Sequence, residues 1–161
     1  MKPWPPSIGA THALKCELAG EVLRSSGTLR LRVMGWSMLP AVWPGDTLVI
    51  ESVKGNAVSE GDIVLFRRDR RLFVHRVVAK GAPSGEAGIV TRGDAMPHPD
   101  PLIAEGDLLG RVTSIVRNGK RIEPRKVPSF SERAVSALVR NSEIAARVVV
   151  GVHGMRQTSQ N

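Results

Sequence analysis

Short runs of apolar residues, separated by breaks that mostly contain glycine, dominate the middle of the chain. This pattern is typical of β-strands joined by turns. It predicts strands at residues 29–34, 47–53, 62–66, 72–79, 88–91, 108–117 and 121–123. Residues 67–71 are predicted to turn between two arms of a hairpin, and Asn118-Gly119 is a second hairpin signal.

Helical patterns flank this β region on both sides. Between residues 12 and 26 the apolar side chains of Leu14, Leu18, Val22 and Leu23 are predicted to share one helical face, with Gly27 as the stop. The proline-rich residues 1–11 are expected to be poorly ordered. After a linker at 124–128, residues 129–132 fit a capping box, and an amphipathic helix is predicted from these apolar positions: Val135, Leu138, Val139, Ala145 and Val149.

The predicted organisation is therefore a single, mainly β domain with a short helix at each end. Residues 1–27 form the N-terminal tail and helix, residues 28–123 the β domain, and residues 124–161 the linker, amphipathic helix and tail. A chain of 161 residues can bury a core without metals or disulfides. Its single cysteine, Cys16, excludes an internal disulfide framework and a multi-cysteine zinc site.

Charge and hydropathy narrow the expected location and partners. Lys and Arg number 23 against 15 Asp and Glu, a net charge of +8 that favours anionic partners such as nucleic acid or lipid headgroups. The sequence shows neither a secretory signal nor an apolar run of the ~20 residues that a membrane span requires. We therefore expect a cytoplasmic protein or one held peripherally at an anionic membrane surface.

Two local clusters could supply a nucleophile and its base. Ser37 follows a predicted strand in a run of small or kinked residues, which can hold its hydroxyl at a turn beside free backbone N–H groups. His75 lies in an alternating strand, on the same face as Phe73 and Val77. Each residue also fits an ordinary role, as a turn serine or a structural strand histidine. A catalytic histidine needs the serine hydroxyl on one ring nitrogen and an orienting group on the other.

A third cluster, residues 91–100, supplies candidate acids. Asp94 and Asp100 lie six residues apart with proline turns between them. An ordinary polar loop is the alternative, and Asp94 beside Gly93 could simply form a turn. His98 and Asp100 could ligate a metal, but without a third obvious ligand no metal site is predicted.

The motifs in this order resemble the signal peptidase I family and its wider clan, which includes LexA-type self-cleaving repressors. The resemblance covers residues 29–116 and rests on five motifs: Gly35-Trp36-Ser37-Met38-Leu39-Pro40, Pro44-Gly45-Asp46, Gly61-Asp62-Ile63-Val64, Val74-His75-Arg76-Val77 and Gly93-Asp94. It implies a signal-peptidase/LexA-like β fold. It also implies a serine endopeptidase that needs no metal or organic cofactor.

The same resemblance implies roles for individual residues. Ser37 matches the nucleophile, and His75 stands where the bacterial branch and LexA-type proteins have a lysine base. Histidine at that position is similar to the archaeal and endoplasmic-reticulum branch, which uses Ser, His and Asp. That branch carries its acid six residues beyond the Asp of its Gly-Asp motif, so Asp100 is the first choice for the third residue and Asp94 the second. Many signal peptidases have a serine where this chain has Gly35, so an oxyanion hole would depend on backbone N–H groups, including that of Ser37.

The expected substrate is a peptide bound extended against an exposed strand edge, with small side chains in shallow pockets. Trp36, Met38 and Leu39 flank the nucleophile and are expected to line this cleft, although core packing fits Met38 and Leu39 equally well. Since no apolar run in the sequence is long enough to span a bilayer, we expect no membrane anchor of the kind that the family has. The cleaved segment could therefore be the signal sequence of an exported protein or a leader peptide in the cytoplasm.

Two other hypotheses compete with the enzyme. One is a LexA-type regulatory or DNA-associated module, and the other is a non-catalytic adaptor that keeps the fold. A single helix before the β region is too little for a helix-turn-helix, which disfavours nucleic acid as a partner. The joint presence of Ser37, His75, Asp94 and Asp100 argues against a non-catalytic adaptor.

Overall fold

A helix precedes a seven-stranded antiparallel sheet in the computed structural model, which describes residues 8–81, 85–127 and 134–137. The helix is α1, Ile8–Ser26. The strands are β1 Thr28–Arg32, β2 Thr47–Ser52, β3 Ile63–Arg68, β4 Arg71–Lys80, β5 Ile89–Arg92, β6 Leu108–Arg117 and β7 Lys120–Ile122. Single 3₁₀ turns occur at Gly55–Ala57 and Glu105–Asp107. The predicted mainly β fold with an N-terminal helix is confirmed.

The order of the strands places β1 and β5 at opposite ends of the sheet. The order is β1-β2-β6-β3-β4-β5, and β7 pairs with the end of β6. Register shifts interrupt the pairing of β2 with β6, of β3 with β6 and of β4 with β5. Such irregularities increase the local twist of a sheet. The sheet therefore curls, and the loops that follow β1 and β5 can meet.

Both faces of the sheet are packed. Alternation along β3 sends Ile63 and Leu65 to one face and Val64 and Phe66 to the other. The first core cluster comprises Leu23, Met38, Val42, Leu48, Ile50, Ile63, Leu65, Val112 and Ile115. The second comprises Val58, Val64, Phe66, Val77, Ile89, Ile103 and Leu108. Because Leu23 belongs to the first cluster, α1 covers that face.

The hairpin between β3 and β4 closes more tightly than the sequence predicts. Arg68 pairs with Arg71, so only Asp69 and Arg70 form the turn. Both have positive φ, 49° and 59°. This is the backbone twist that favours two-residue hairpins. The second predicted hairpin is confirmed, since Asn118 and Gly119 connect β6 to β7 with φ of 50° and 74°.

Helix α1 differs from its prediction in its start and in its buried face. It begins at Ile8, so residues 8–11 are helical rather than poorly ordered. Leu23 of the predicted face is buried, but Leu14 and Leu18 are each 55% exposed, and Cys16 and Ala19 are buried in their place. Both sets of residues have helical spacing. Small side chains at positions 16 and 19 allow the helix to approach the sheet closely, and this favours the second set.

No helix within the described ranges is both long enough and apolar enough to cross a bilayer. Helix α1 has the length of a span, at 19 residues. It also carries four charged side chains, Lys15, Glu17, Glu21 and Arg24.

The described part of the C-terminal region is a helical turn at residues 134–137. Val135 packs against a third core cluster that contains Leu39 and Ala95, with Trp43 beside it. The Ser136 hydroxyl donates a hydrogen bond to the Leu39 carbonyl at 3.3 Å. The other residues of the predicted amphipathic helix lie outside the described residues, and the domain boundaries at 27/28 and 123/124 stay predictions.

An ion pair fastens the loop between β1 and β2 to the end of β6. Arg117 donates from Nε and Nη2 to both carboxylate oxygens of Asp46, with distances of 2.7 to 3.3 Å. The Asp46 side chain is only 2% exposed and also accepts the Trp43 N–H at 2.8 Å. Arg117 Nη2 reaches the Ala41 carbonyl as well, at 3.2 Å. The Pro44-Gly45-Asp46 motif therefore has a structural role.

We predict that Arg117→Met lowers the free energy of unfolding by about 2 to 3 kcal/mol, because it leaves a buried carboxylate without its cation. Urea unfolding of the purified variant measures this loss. Arg121→Met removes an exposed arginine from β7 and is the matched control, with an expected change below ~0.5 kcal/mol. Equal stability of the two variants would contradict the structural role of the pair.

Candidate active site

Ser37, the candidate nucleophile, lies on a turn that is held by backbone hydrogen bonds between its neighbours. The Leu39 N–H donates to the Trp36 carbonyl at 3.1 Å, and the Val42 N–H donates to the Met38 carbonyl at 3.0 Å. Met38, Leu39 and Val42 are buried, whereas Ser37 is partly exposed. The turn therefore holds the hydroxyl at the surface while the adjacent apolar side chains enter the core.

His75 lies on β4, opposite Val64 of β3. It is buried against the rings of Phe66 and Phe73, with ring centroids 5.9 and 6.0 Å away. Its Nε2 atom is 3.0 Å from the Ser37 hydroxyl oxygen. Packing on two aromatic rings restricts the orientation of the imidazole and directs Nε2 toward the serine.

Asp100 contacts the other nitrogen of the imidazole. Its Oδ2 atom is 2.6 Å from His75 Nδ1 and also accepts the Thr91 hydroxyl at 2.6 Å. Burial raises the pKa of Asp100, but the hydrogen bonds from His75 and Thr91 and the charges of His75 and Arg68 outweigh it, so the pKa lies below its usual value. An ionised carboxylate accepts only, so Nδ1 is the ring nitrogen that donates to Asp100, and the tautomer with its proton on Nδ1 leaves Nε2 to accept from Ser37.

The structure does not bring Asp94, the second candidate acid, to His75. Both of its carboxylate oxygens accept from Arg76, at 2.8 Å from Nε and 2.7 Å from Nη2. Arg76 follows His75 on β4, and successive side chains of a strand point to opposite faces. Asp100 therefore contacts His75 on one face of β4, and Asp94 contacts Arg76 on the other face. Asp94 and Arg76 form a buried ion pair.

Arg76 also ties this ion pair to the rest of the chain. Its Nη1 atom donates to the carbonyl oxygens of Gly61 at 2.8 Å and of Arg125 at 2.6 Å. A side chain at residue 61 would collide with the Lys126 carbonyl, since a Cβ there would lie 2.6 Å from it. Residues 125 and 126, in the predicted linker, therefore pack against Arg76 and the turn at Gly61.

Gly93 allows two loops to meet at the site. A Cβ atom at this position would lie 2.6 Å from the Ser37 carbonyl oxygen and 3.1 Å from His75 Nε2. The Ala95 N–H donates to that same carbonyl at 2.9 Å. Only glycine permits this approach without displacement of its neighbours. The sequence indicates Gly93 as a turn residue and gives no sign of this contact.

The three residues expected to line a cleft do not share one environment. Trp36 is 37% exposed beside the nucleophile, and Met34, which the sequence analysis did not select, is 84% exposed. Met38 and Leu39 are buried in the core, so the expectation of a cleft role was wrong for these two. Both residues lie in the turn that contains Ser37, and their burial agrees with the core-packing alternative.

Two more residues at the site, Thr91 and Arg68, were also missed by sequence reasoning. Thr91 is fully buried on β5 and bonds to Asp100, nine residues later in the chain. Arg68 ends β3 and lies 3.8 Å from Asp100 Oδ1. The sequence signal for Arg68 is a cluster of four arginines at positions 67, 68, 70 and 71, but which of them faces the site depends on the register of the hairpin.

Within the described ranges, no group of three or more His, Cys, Asp or Glu side chains is arranged to hold a metal ion. His98 is exposed in the loop that carries Asp100. The arrangement of Ser37, His75 and Asp100 suits proton transfer from a hydroxyl, with a carboxylate that stabilises the charged imidazole.

Part of the chain is similar to a known protein family. Residues 8–84 match the family model described as Peptidase S24-like, and this segment contains Ser37 and His75. Comparisons with curated proteins and with solved structures give no match. The S24 family are serine peptidases. This segment, just under half of the chain, is therefore similar to the Peptidase S24-like family, of the clan that includes LexA and signal peptidase.

Proposed function

We propose that this protein is a serine endopeptidase in which Ser37 is the nucleophile, His75 the general base and Asp100 the acid that orients the base. The observation that carries the proposal is the hydrogen-bonded chain from Ser37 Oγ to His75 Nε2, 3.0 Å, and from His75 Nδ1 to Asp100 Oδ2, 2.6 Å. The three residues come from separate segments, 38 and 25 residues apart. Their convergence supports a catalytic role over three independent structural roles.

The geometry favours acyl transfer in two steps. Ser37 Oγ attacks the scissile carbonyl while His75 Nε2 takes the hydroxyl proton, and the imidazolium then gives that proton to the leaving amine. Water hydrolyses the resulting acyl-enzyme with His75 again as the base. The lowered pKa of Asp100 keeps its carboxylate charged, and this charge stabilises the imidazolium in both steps.

Backbone donors are available to stabilise the oxyanion. Among the described residues, the Ser37 N–H has no hydrogen-bond acceptor. The Ser37 carbonyl, in contrast, is held by the Ala95 N–H at 2.9 Å, which fixes the orientation of the turn. Gly35 offers no side-chain donor. We propose that the Ser37 N–H is one donor of the oxyanion hole.

The proposed substrate is an extended peptide beside the segment that leads from β1 to Ser37. Val33 pairs with the backbone of Asp46 and Gly45 at 2.8 Å, and beyond it the chain leaves the sheet. The exposed side chains of Met34 and Trp36 give this segment an apolar surface next to the nucleophile. A polypeptide laid along it would gain backbone hydrogen bonds and apolar contact together.

We further propose that the cleaved segment is a signal or leader peptide. The net charge of +8 would favour peripheral contact with an anionic membrane if the substrate is an exported precursor. A leader peptide on a precursor in the cytoplasm requires no such contact. Two measurements distinguish an exported precursor from a cytoplasmic one. Cell fractionation locates the protein, and a proteome-wide comparison of N-termini between cells with the wild type and cells with Ser37→Ala identifies the cleaved precursors.

We predict that Ser37→Ala and His75→Ala each reduce peptide cleavage by about 10⁴-fold or more, and that the double variant is scarcely slower than either single one, because the residues act as a unit. New N-termini in a peptide library, detected by mass spectrometry, give the rates. Ser52→Ala changes an exposed serine on β2 and should cleave like the wild type. Full activity of folded Ser37→Ala would exclude Ser37 as the nucleophile.

We predict opposite effects for the two aspartates. Asp100→Asn should slow cleavage by about 10⁴-fold, because the amide no longer stabilises the imidazolium, and should lower the melting temperature less than Asp94→Asn does. Asp94→Asn should lower the free energy of unfolding by about 3 kcal/mol, because it breaks a buried ion pair. Rates and thermal melts of both variants test this, and the reverse pattern would exchange their roles.

We predict that Asp100 contributes to the acid sensitivity of the fold. Its pKa in the folded protein lies below that of the unfolded chain, near ~3.9, so the folded state binds fewer protons. The stability contributed by this carboxylate is fully present at pH values above the unfolded pKa. It is lost as the pH falls through the pKa of the folded protein. Urea unfolding between about pH 2 and 6 should show a steeper acid loss for the wild type than for Asp100→Asn. Parallel curves would contradict the lowered pKa.

A further inference from the structure

Arg68 makes three contacts at the edge of the candidate site. Its Nη2 atom donates to the Pro101 carbonyl at 2.6 Å, and its Nη1 atom lies 3.8 Å from Asp100 Oδ1. The guanidinium carbon lies 5.4 Å from the centroid of the Phe66 ring. The side chain is 24% exposed, so these contacts are partly shielded from water. Arg68 therefore joins the aromatic support of His75 to the loop that carries Asp100.

The neighbouring Arg67 provides a contrast within the same strand. It donates from Nε to Asp107 Oδ1 at 3.0 Å and from Nη2 to the Gly106 carbonyl at 3.3 Å. Successive residues of β3 point to opposite faces, so Arg67 points away from the Asp100 side. Each arginine thus pairs with one carboxylate and one carbonyl. Of these two arginines, Arg68 is the one whose contacts include Asp100 and Phe66.

Asp100 depends on side-chain and backbone anchors because no helix or strand includes it. The segment between β5 and the 3₁₀ turn at Glu105–Asp107 is irregular around this residue. The Asp100 N–H donates to the Thr91 carbonyl at 2.7 Å, and Arg68 holds the next carbonyl, that of Pro101. These two hydrogen bonds bracket Asp100 from both sides.

The two carboxylate oxygens of Asp100 have different partners. Oδ2 accepts from His75 and from Thr91, each at 2.6 Å. Oδ1 faces the guanidinium of Arg68. A cation on the Oδ1 side opposes rotation of the carboxylate, because rotation would separate Oδ1 from the positive charge.

We propose that Arg68 is a positioning residue for Asp100: it holds the Asp100–Pro101 backbone and orients the carboxylate toward His75 Nδ1. This inference rests on the proposed serine peptidase function, and nothing in it requires Arg68 to touch the substrate. A planar guanidinium reaches both the Pro101 carbonyl and the Asp100 carboxylate, whereas the single ammonium of lysine cannot serve both in the same geometry. Lysine at this position should therefore retain only part of the effect.

The test compares wild type, Arg68→Met, Arg68→Lys and the matched control Arg67→Met. The first readout is the low-field proton NMR signal of His75 Nδ1–H, which reports the hydrogen bond to Asp100 without any catalytic event. The second is the labelling of Ser37 by a fluorophosphonate probe. In that reaction Ser37 Oγ forms a bond to phosphorus, fluoride leaves and His75 takes the hydroxyl proton. Saturation kinetics separate the maximal labelling rate from the half-saturating concentration.

We expect Arg68→Met to lower the maximal labelling rate about tenfold, to leave half-saturation unchanged and to shift or broaden the His75 signal. Arg68→Lys should lie between this variant and the wild type. Arg67→Met should match the wild type in both readouts. If Arg68→Met does not fold, Arg68→Lys carries the test, since it keeps the stem and the charge but not the planar fork.

Two results would overturn the positioning role. One is a folded Arg68→Met or Arg68→Lys variant with the labelling rate and NMR signal of the wild type. The other is an equal loss in Arg67→Met, which would indicate a general effect of the strand. If the wild type is not labelled at Ser37, the proposed function fails, while a changed His75 signal in Arg68→Met would still support the contact with Asp100.

Discussion

The meeting of the turn after β1 with the loop after β5 is the contact on which the site depends. These loops leave strands at opposite ends of the sheet order, and the curl of the sheet brings them together. The Ala95 N–H donates to the Ser37 carbonyl at 2.9 Å, and Gly93 passes so close that any Cβ there would collide with Ser37. Without this approach Ser37 would not reach His75, and Asp100, on the same loop as Gly93, would lie elsewhere.

His75 and Arg76 on β4 have different roles because side chains alternate between the two faces of a strand. His75 and Arg76 are neighbours in sequence but point to opposite faces, and each has its own aspartate. Arg76 and Asp94 join the loop, the Gly61 turn and residue 125 through buried hydrogen bonds. His75 and Asp100 face Ser37. One face of β4 thus holds the loop in place, and on the other face Asp100 of that loop orients the imidazole of His75.

Sequence reasoning predicts the strands well because alternation and glycine breaks are local signals, and the limits predicted for β6 match the structure. It failed for the buried face of α1, where Leu14 and Leu18 compete with Cys16 and Ala19, because only packing on the sheet selects one of two helical faces. Motif order brought Ser37, His75 and Asp100 forward as candidates, but no local pattern shows that Met38 is buried. The place of Arg68 depends on hairpin register and on a loop 33 residues away, so the sequence could not show it.

Covalent catalysis by Ser37 is the central feature of the proposed mechanism. The most direct measurement is intact-protein mass spectrometry of an acid-quenched reaction with a peptide that the wild type cleaves. We predict a transient mass increase equal to the N-terminal product less one water, as expected for an acyl-enzyme. Fragmentation should place the added mass on Ser37. Cleavage by the purified protein with no such adduct, or with the adduct on another residue, would contradict the account.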